Sequence, residues 1–296
     1  MRNLKTVNYD EMFTLSAQSP KWVWNAQGQL VEIPAGQPAF GYDRFTGEPL
    51  GQIVESVGAT NVLLNSFAPA TQTVSVSDAT TYTLSVYGSG SAEITAGGSG
   101  TATDGSPLTF TTAGTSVTVT VTGTLDVFQL EAGSEATSPI KTTGSAVTRA
   151  ADVVNANTSF AEQYDPAQGW LLFKFDTDTP ASYIMAAYRA AAGGSNNDSL
   201  QVAPTIIRAF VGREQFNFFV GDLLGGHAVV VAWDNGMVRT FVDGALESTV
   251  ACQLPIMDSL RFFARGDGAS PGNGHLFDFR MGRVISDDDA IARTTL

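Results

Sequence analysis

Two stretches of the chain alternate apolar and polar residues with a period of two. They are TQTVSVSDATTYTLSVYG, from Thr71, and TSVTVTVTGTLDVFQL, from Thr115. That spacing predicts half-buried strands, and Val and Thr suit a pleated, half-buried surface. Gly/Ser clusters at 88–91 and 97–100, and Asp104-Gly105-Ser106-Pro107, read as turns between them. The middle of the chain is therefore expected to form a small antiparallel β-sandwich. A Ser/Thr/Gly linker would have no reason to space valines at every second position.

The last 140 or so residues show shorter β-patterned runs: WLLFKF, TIIRAFVG, QFNFFVGD, AVVVAW, MVRTFV, SLRFF and HLFDFRM. Asn235-Gly236 lies between two of them and predicts a type I′ hairpin, whose central residues both need positive φ. Asp243-Gly244 ends the next strand in the same way. Ser286 followed by Asp287, Asp288 and Asp289 predicts a helix N-cap and an acidic first turn, in the one segment with helical character. Many short strands separated by Gly, Asn and Asp turns indicate a second sandwich or jelly roll.

The first 55 residues differ. Trp22, Trp24, Phe40, Tyr42 and Phe45 are set among Pro20, Pro34, Pro38 and Pro49. This composition suits an extended arm that lays aromatic rings on a partner or on the next domain, and the arm is expected to pack against other chains. The expected fold is all-β: two antiparallel β-sandwich or jelly-roll domains, 56–153 and 154–296, preceded by an N-terminal assembly arm, 1–55.

Composition narrows the function classes. The 296 residues carry a net charge of −13, with 15% charged and 43% hydrophobic residues. No lysine or arginine occurs between Arg44 and Lys141. Nucleic acid is not an expected partner, because phosphate binding needs a basic footprint. A single cysteine, Cys252, cannot form an internal disulfide, and is expected to be a small buried hydrophobe. Two histidines make a histidine-built metal site an unlikely design. No apolar run reaches 18 residues, so no membrane insertion is expected. MRNLKTVNYDEMF lacks the apolar core of a signal peptide.

GYDRFTGEPLGQIVE with TNVLLNS, and the more specific FQLEAGSEATSPIKTTGSAVTRAADV, resemble a recurrent module of tailed-bacteriophage virion proteins. The resemblance covers about 40–66 and 127–153. It implies a carbohydrate-binding-module-like sandwich leading into a variable C-terminal domain. HAVVVAWDNGMVRTFVDGALE and GHLFDFRMGRVISDDDAIA resemble the laminin-G/concanavalin-A-like jelly roll over about 155–296. Together these resemblances imply a tail fibre or head decoration protein on the phage particle surface, assembled in the host cytoplasm. They imply other virion proteins as partners, a homotrimer, and adhesion to a host-surface glycan. An architectural decoration protein without ligand is the alternative, and a polysaccharide-degrading enzyme a third reading.

Catalytic patterns are absent from the sequence. Glu162, Glu214 and Glu247 do not form the alternating carboxylate cluster of concanavalin-A-like glucanases, and Asp176 and Asp178 read as a strand-end turn. No GxSxG elbow or P-loop lysine occurs, His227 and His275 flank turns, and Arg265-Gly266-Asp267 reads as a polar loop. No enzyme activity, cofactor or metal is expected. For sugar binding, planar hydrogen-bonding groups and an aromatic ring are needed. Two loops supply them: Tyr188, Arg189, Asn196, Asn197 and Asp198 on one, Arg265, Asp267 and Asn273 on the other. The expectation is that these loops converge into one site.

Overall fold

The computed structural model describes residues 13–156, 158–180, 182–192, 197–266 and 268–296. Asn196 and Asp267 fall outside them. The described chain is all-β apart from short helices, as the alternation predicts.

In chain order, the first strands are β1 (Phe13–Ser16), β2 (Lys21–Trp24), β3 (Leu30–Ile33), β4 (Phe40–Tyr42), β5 (Pro49–Glu55) and β6 (Ala59–Asn61). Next come β7 (Gln72–Ser75), β8 (Thr81–Ala96), β9 (Gly100–Thr103), β10 (Leu108–Thr111), β11 (Ser116–Ala132) and β12 (Val147–Arg149). After β13 (Val153–Ala156) stand the short helix α1 (Thr158–Gln163), β14 (Gln168–Thr177) and β15 (Met185–Tyr188). Then follow β16 (Ser199–Ala203), β17 (Ile206–Val211), β18 (Glu214–Val220) and β19 (Gly225–Asp234). The chain closes with β20 (Met237–Val242), β21 (Ala245–Ala251), β22 (Ser259–Phe262), β23 (Asn273–Gly282) and α2 (Asp287–Thr294).

These elements form two compact units whose boundaries differ from those expected. One holds residues 13–16, 38–57 and 152–296 of the described chain; the other holds 17–37 and 58–151. Residues 13–55 are therefore not a separate arm, and the remainder of the expected arm lies outside the described residues. In the larger unit β1 pairs with β13, β5 with β23 and β4 with β5. In the smaller unit β2 and β3 make a hairpin and β6 pairs with β12. The prolines that suggested an arm stand at strand boundaries, where a missing N–H does least harm: Pro49 opens β5, and Pro34 follows β3.

The larger unit is a two-sheet jelly roll. Sheet I has the order β1-β13-β22-β15-β16-β17-β18, and sheet II the order β21-β20-β19-β14-β23-β5-β4. Val154, Met185, Leu200, Val202, Ile207 and Phe262 of sheet I share one core with Leu171, Phe173, Phe175, Val229, Val231 and Trp233 of sheet II. Cys252 is buried in this core, as expected, and burial pushes its thiol pKa up. Sheet II is covered on its other face too: α2 packs Ala290 against Trp170, Leu172, Val230, Ala232 and Phe241. Burial on both faces explains why WLLFKF and AVVVAW are nearly continuous apolar runs. Sheet I keeps a polar–apolar alternation of sequence in β16 and β22, although β15 and β16 are buried on both sides.

The predicted hairpins form. Asn235 and Gly236 have φ of 48° and 73° between the paired Asp234 and Met237, and Asp243 and Gly244 repeat the geometry at 49° and 85°. A Cβ on Gly236 would meet nothing within 4 Å, so substitution there is opposed by backbone conformation alone. Gly236→Val is expected to lower stability by about 1–2 kcal/mol, the penalty of a left-handed L-residue. An unchanged urea midpoint would contradict that turn. The helix cap is also as expected, with Ser286 Oγ accepting from Asp289 N at 3.1 Å.

The smaller unit is built on β10-β8-β11-β7, with β9 on β8, around Leu84, Val86, Ile94, Val117, Val119, Phe128 and Leu130. The glycines at 88–91 are not a turn, unlike those after Ala96. They lie inside β8, opposite a register shift between Leu125 and Val127 of β11. A Cβ on Gly90 would stand 2.4 Å from Thr122 O, so the glycines permit a bend and close backbone approach in a very long strand pair.

Residues of the virion-protein resemblance form a buried polar framework in this unit. Asn61 Nδ2 donates to Ile140 O and Phe128 O, and its Oδ1 accepts from Leu63 N and Leu130 N. Gln129 Oε1 accepts from Ile140 N at 2.7 Å, and Thr142 Oγ1 donates to Leu63 O at 2.6 Å. The Glu131 carboxylate accepts from Thr137 Oγ1 at 2.8 Å and from Gln129 Nε2 at 3.0 Å. These bonds fasten the strandless 134–143 segment to β11 and β6.

Candidate functional site

The two loops expected to make one site do not converge. In sheet I, Tyr188 pairs with Ser259 and Met185 with Phe262. The loop after Tyr188 thus leaves from one end of β15 and β22, and the loop after Phe262 from the other, about 10 Å away along a four-residue strand. Strand direction, which the sequence does not display, separates them. Arg189 pairs with Asp198 at 3.7 Å, and Asp198 Oδ1 accepts from Gly212 N, so these residues brace their own loop beside Asn197. Arg265 closes a turn through Gly268 N and Ala269 O. Asn273 opens β23, where its Oδ1 accepts from Val57 N and its carbonyl from Thr177 Oγ1.

Tyr188 retains a place on a different surface. The residues of sheet I that point away from the core form rows across paired strands. One row runs Asn155, Arg261, Ala186, Gln201, Arg208, Asn217. The next runs Ser259, Tyr188, Ser199, Phe210, Gln215. None of these eleven side chains is a carboxylate. Arg208 Nε donates to Gln201 Oε1 at 3.1 Å and its Nη2 to the Tyr183 hydroxyl at 2.9 Å, while its guanidinium lies over the Phe210 ring at 5.1 Å. Gln201 Nε2 in turn donates to Ser199 Oγ at 3.0 Å. Arg208 is thereby held in one orientation by neutral groups, with no ion pair among the described residues. Gln201 and Ser199 are fully buried beneath this network, as is Ala186, so the part of the face open to a ligand is Arg208, Gln215 and Asn217 beside half-buried Tyr183 and Tyr188. Such a face can bind a polyhydroxylated ligand by paired hydrogen bonds and ring stacking.

Arg208, Gln201, Arg261, Tyr183 and Asn217 escape a sequence reading that seeks sites in loops. Their signal is a polar residue inside each apolar run: Arg208 in TIIRAFVG, Gln201 in SLQVA, Arg261 in SLRFF. Their alignment depends on strand order and register.

Two other features have less to offer a ligand. A cavity of about 420 Å³ lies in the larger unit beside the Asn235-Gly236 turn, lined by Gln168, Trp233, Asp234, Arg239, Gln253 and Arg283 among others. Its Arg239 is neutralised by Asp234 and Asp287, and Trp233 is 3% exposed, so no ring face is presented. In the smaller unit Trp22 meets Phe67 edge-on at 4.8 Å with Lys141 over both rings, and Trp24 meets Tyr87 at 5.5 Å. These tryptophans, expected to pack on other chains, anchor the β2–β3 hairpin within their own unit. Phe40 and Phe45 are 48% and 76% exposed, and Tyr42 is half-buried. Phe45 sits on a tight β4–β5 loop held by Asp43, whose carboxylate accepts from Thr46 N and Phe45 N. Those bonds keep the Asp43 pKa below the usual carboxylate value.

Among the described residues no group of three His, Cys, Asp or Glu side chains is placed to hold a metal, and no helix is long and apolar enough to cross a membrane. His227 Nδ1 lies 2.7 Å from Asp243 and its Nε2 3.0 Å from Leu224 O, which ties the start of β19 to the β20–β21 turn.

No family model and no curated protein matches the chain. Solved structures do. A Ruminococcus gnavus sialidase CBM40 domain bound to α2,3-sialyllactose has 17% identity and a TM-score of 0.34, over 44% of this chain and 85% of that one. A structure of botulinum neurotoxin type C, whose cell entry depends on two ganglioside molecules, has 12% identity and a TM-score of 0.36, over 48% of this chain and 39% of that one. A Limulus polyphemus pentraxin has 13% identity and a TM-score of 0.31, over 42% and 68%. Similarity at this level carries no functional statement for the present chain.

Proposed function

We propose that this protein is an adhesin of a tailed-phage particle, which binds a host-surface glycan on the outward face of sheet I and does not cleave it. The observation that supports the reading is Arg208, held by Tyr183 and by buried Gln201, with exposed Asn217 across the strand pair and Tyr188 on the same face: prearranged polar groups with no acid/base pair among them. The virion setting rests on the resemblance of the smaller unit's sequence. Exposed Phe40 and Phe45, with Phe277 at 44% exposure, favour contacts with other particle proteins or with two further copies in a trimer. A decoration protein without ligand would use the same aromatic residues and leave the polar face idle.

Each neutral polar contact contributes only about 0.5–1.5 kcal/mol, so a single site binds weakly and several copies per particle supply avidity. The test is a glycan array probed with the intact chain. Retention of a defined set of glycans is expected, reduced about tenfold by Tyr188→Ala combined with Arg208→Gln. Thermal unfolding of the variant checks that the fold persists. Retention unaffected by the double substitution would refute the assignment to this face, and release of reducing ends from a retained polysaccharide would show an enzyme.

A further inference from the structure

We infer that the glycan meets this face with an acyl carbonyl, an N- or O-acetyl group on a neutral sugar, and that Asn217 and the Tyr183 hydroxyl select it over a sugar hydroxyl beside Arg208. The inference rests on the glycan reading above and adds the substituent that the face selects.

The hydrogen bonds within the network consume acceptors and leave donors. Arg208 Nε donates to Gln201 Oε1 at 3.1 Å, and its Nη2 donates to the Tyr183 hydroxyl at 2.9 Å. The phenolic proton of Tyr183 therefore points away from Arg208 and remains to be given. Gln215 Nε2 donates to Asn217 Oδ1 at 2.7 Å, which engages the acceptor atom of Asn217. Its Nδ2, like Arg208 Nη1, has no acceptor among the described residues. Asn217 stands directly across from Arg208 in the β17–β18 register, where side chains on one face lie about 5 Å apart at Cβ. Exposed Asn217 and half-buried Arg208 and Tyr183 thus present N–H and O–H donors together. The one side-chain carbonyl left free among these residues is that of Gln215.

Such a cluster discriminates by protons. A carbonyl oxygen brings two lone pairs and no hydrogen, and it takes two of the donors at once. A sugar hydroxyl brings a proton of its own, for which Arg208, Tyr183 and Asn217 hold no free carbonyl or carboxylate. A donor placed among donors is unmet, and that mismatch weakens binding. A carboxylate also lacks a proton, but charge disfavours it. The chain carries a net charge of −13, which repels an acidic polysaccharide as it approaches. The Arg208 guanidinium already rests over the Phe210 ring at 5.1 Å, a contact that supplies part of what a counter-ion would. A neutral carbonyl takes the same donors without the repulsion.

The experiment measures binding of matched glycans to the intact chain. One pair is an oligosaccharide of N-acetylglucosamine against the glucose oligosaccharide of the same linkage. A second is each polysaccharide retained on the array, before and after mild alkaline removal of its O-acetyl groups. A third is each retained acidic polysaccharide, before and after carboxyl reduction. At least one acetylated member is expected to bind about tenfold tighter than its hydroxyl partner, a difference of about 1.4 kcal/mol. Asn217→Asp replaces the free amide donor by an acceptor of the same shape and should abolish the preference, with Tm unchanged because the residue is exposed. Tyr183→Phe, which removes the second donor, should reduce the preference. A preference undiminished in both variants would overturn the inference. Binding that falls on carboxyl reduction and not on deacetylation would make charge the recognised feature and overturn it as well. Equal binding of acetylated and hydroxyl forms, both weakened in Tyr188→Ala with Arg208→Gln, would overturn the acyl selection and leave the glycan face standing. Absence of any retained glycan would overturn this inference and the glycan reading together.

Discussion

A chain lacking residues 1–57 will fail to form the jelly-roll unit. The deletion removes β1, β4 and β5, and with them the edge partners of β13 and β23. Phe13, packed edge-on against Phe262 and Phe279 at 5.4 and 5.2 Å, leaves the core together with Val54. Burial of two such side chains contributes about 3–6 kcal/mol, comparable with the whole stability of many domains. Asp152 loses both of its bonds to the Glu55 backbone, one through its amide and one through its carboxylate. The stripped strands become unpaired edges open to association. Expression of the truncation should yield aggregated or protease-sensitive protein. A soluble product that unfolds cooperatively at the parent temperature would show that the N-terminal strands are dispensable, as an arm would be.

Asn61→Ala should be the most destabilising single substitution in the smaller unit. The side chain is fully buried and satisfies four backbone groups on three separate segments: Leu63 N, Phe128 O, Leu130 N and Ile140 O. Alanine leaves all four without that partner. An unmet buried group costs about 1–3 kcal/mol, and partial rehydration of the vacated space keeps the total at about 3–4 kcal/mol. Urea unfolding followed through the tryptophans of this unit measures it. A loss below about 1 kcal/mol would mean that the 134–143 segment is held by other contacts.

The contrast between these residues and the hairpins shows what a sequence displays. Asn235-Gly236 is legible because a type I′ turn is a local demand on two residues. Ser286 is legible because an N-cap needs only the next three residues. The valine alternation of 115–121 is legible because one face of β11 is buried along that length. The glycines at 88–91 mislead because a turn and a mid-strand bend ask the same backbone freedom of glycine, and the distinction lies in β11, more than thirty residues away. The N-terminal strands mislead because each is only three to seven residues long, and β5, β1 and β6 gain their partners from the distant β23, β13 and β12. The candidate site was hidden for the same reason. Arg261 and Arg208 are 53 positions apart, and only the order β22-β15-β16-β17 puts them in one row. Tyr188 was identified from its chemistry, yet the partners assigned to it in the loop at 265–273 lie at the wrong end of its strand.

The most direct test of the glycan-binding face is a crystal structure of the intact chain with a glycan that it retains on the array. The account predicts density for the sugar on the outward side of sheet I, with its hydroxyls on Arg208 and Asn217 and a ring against Tyr188. Density in the cavity beside Asn235, on the Trp22–Phe67 cluster, or on the residues 189–198 alone would contradict it.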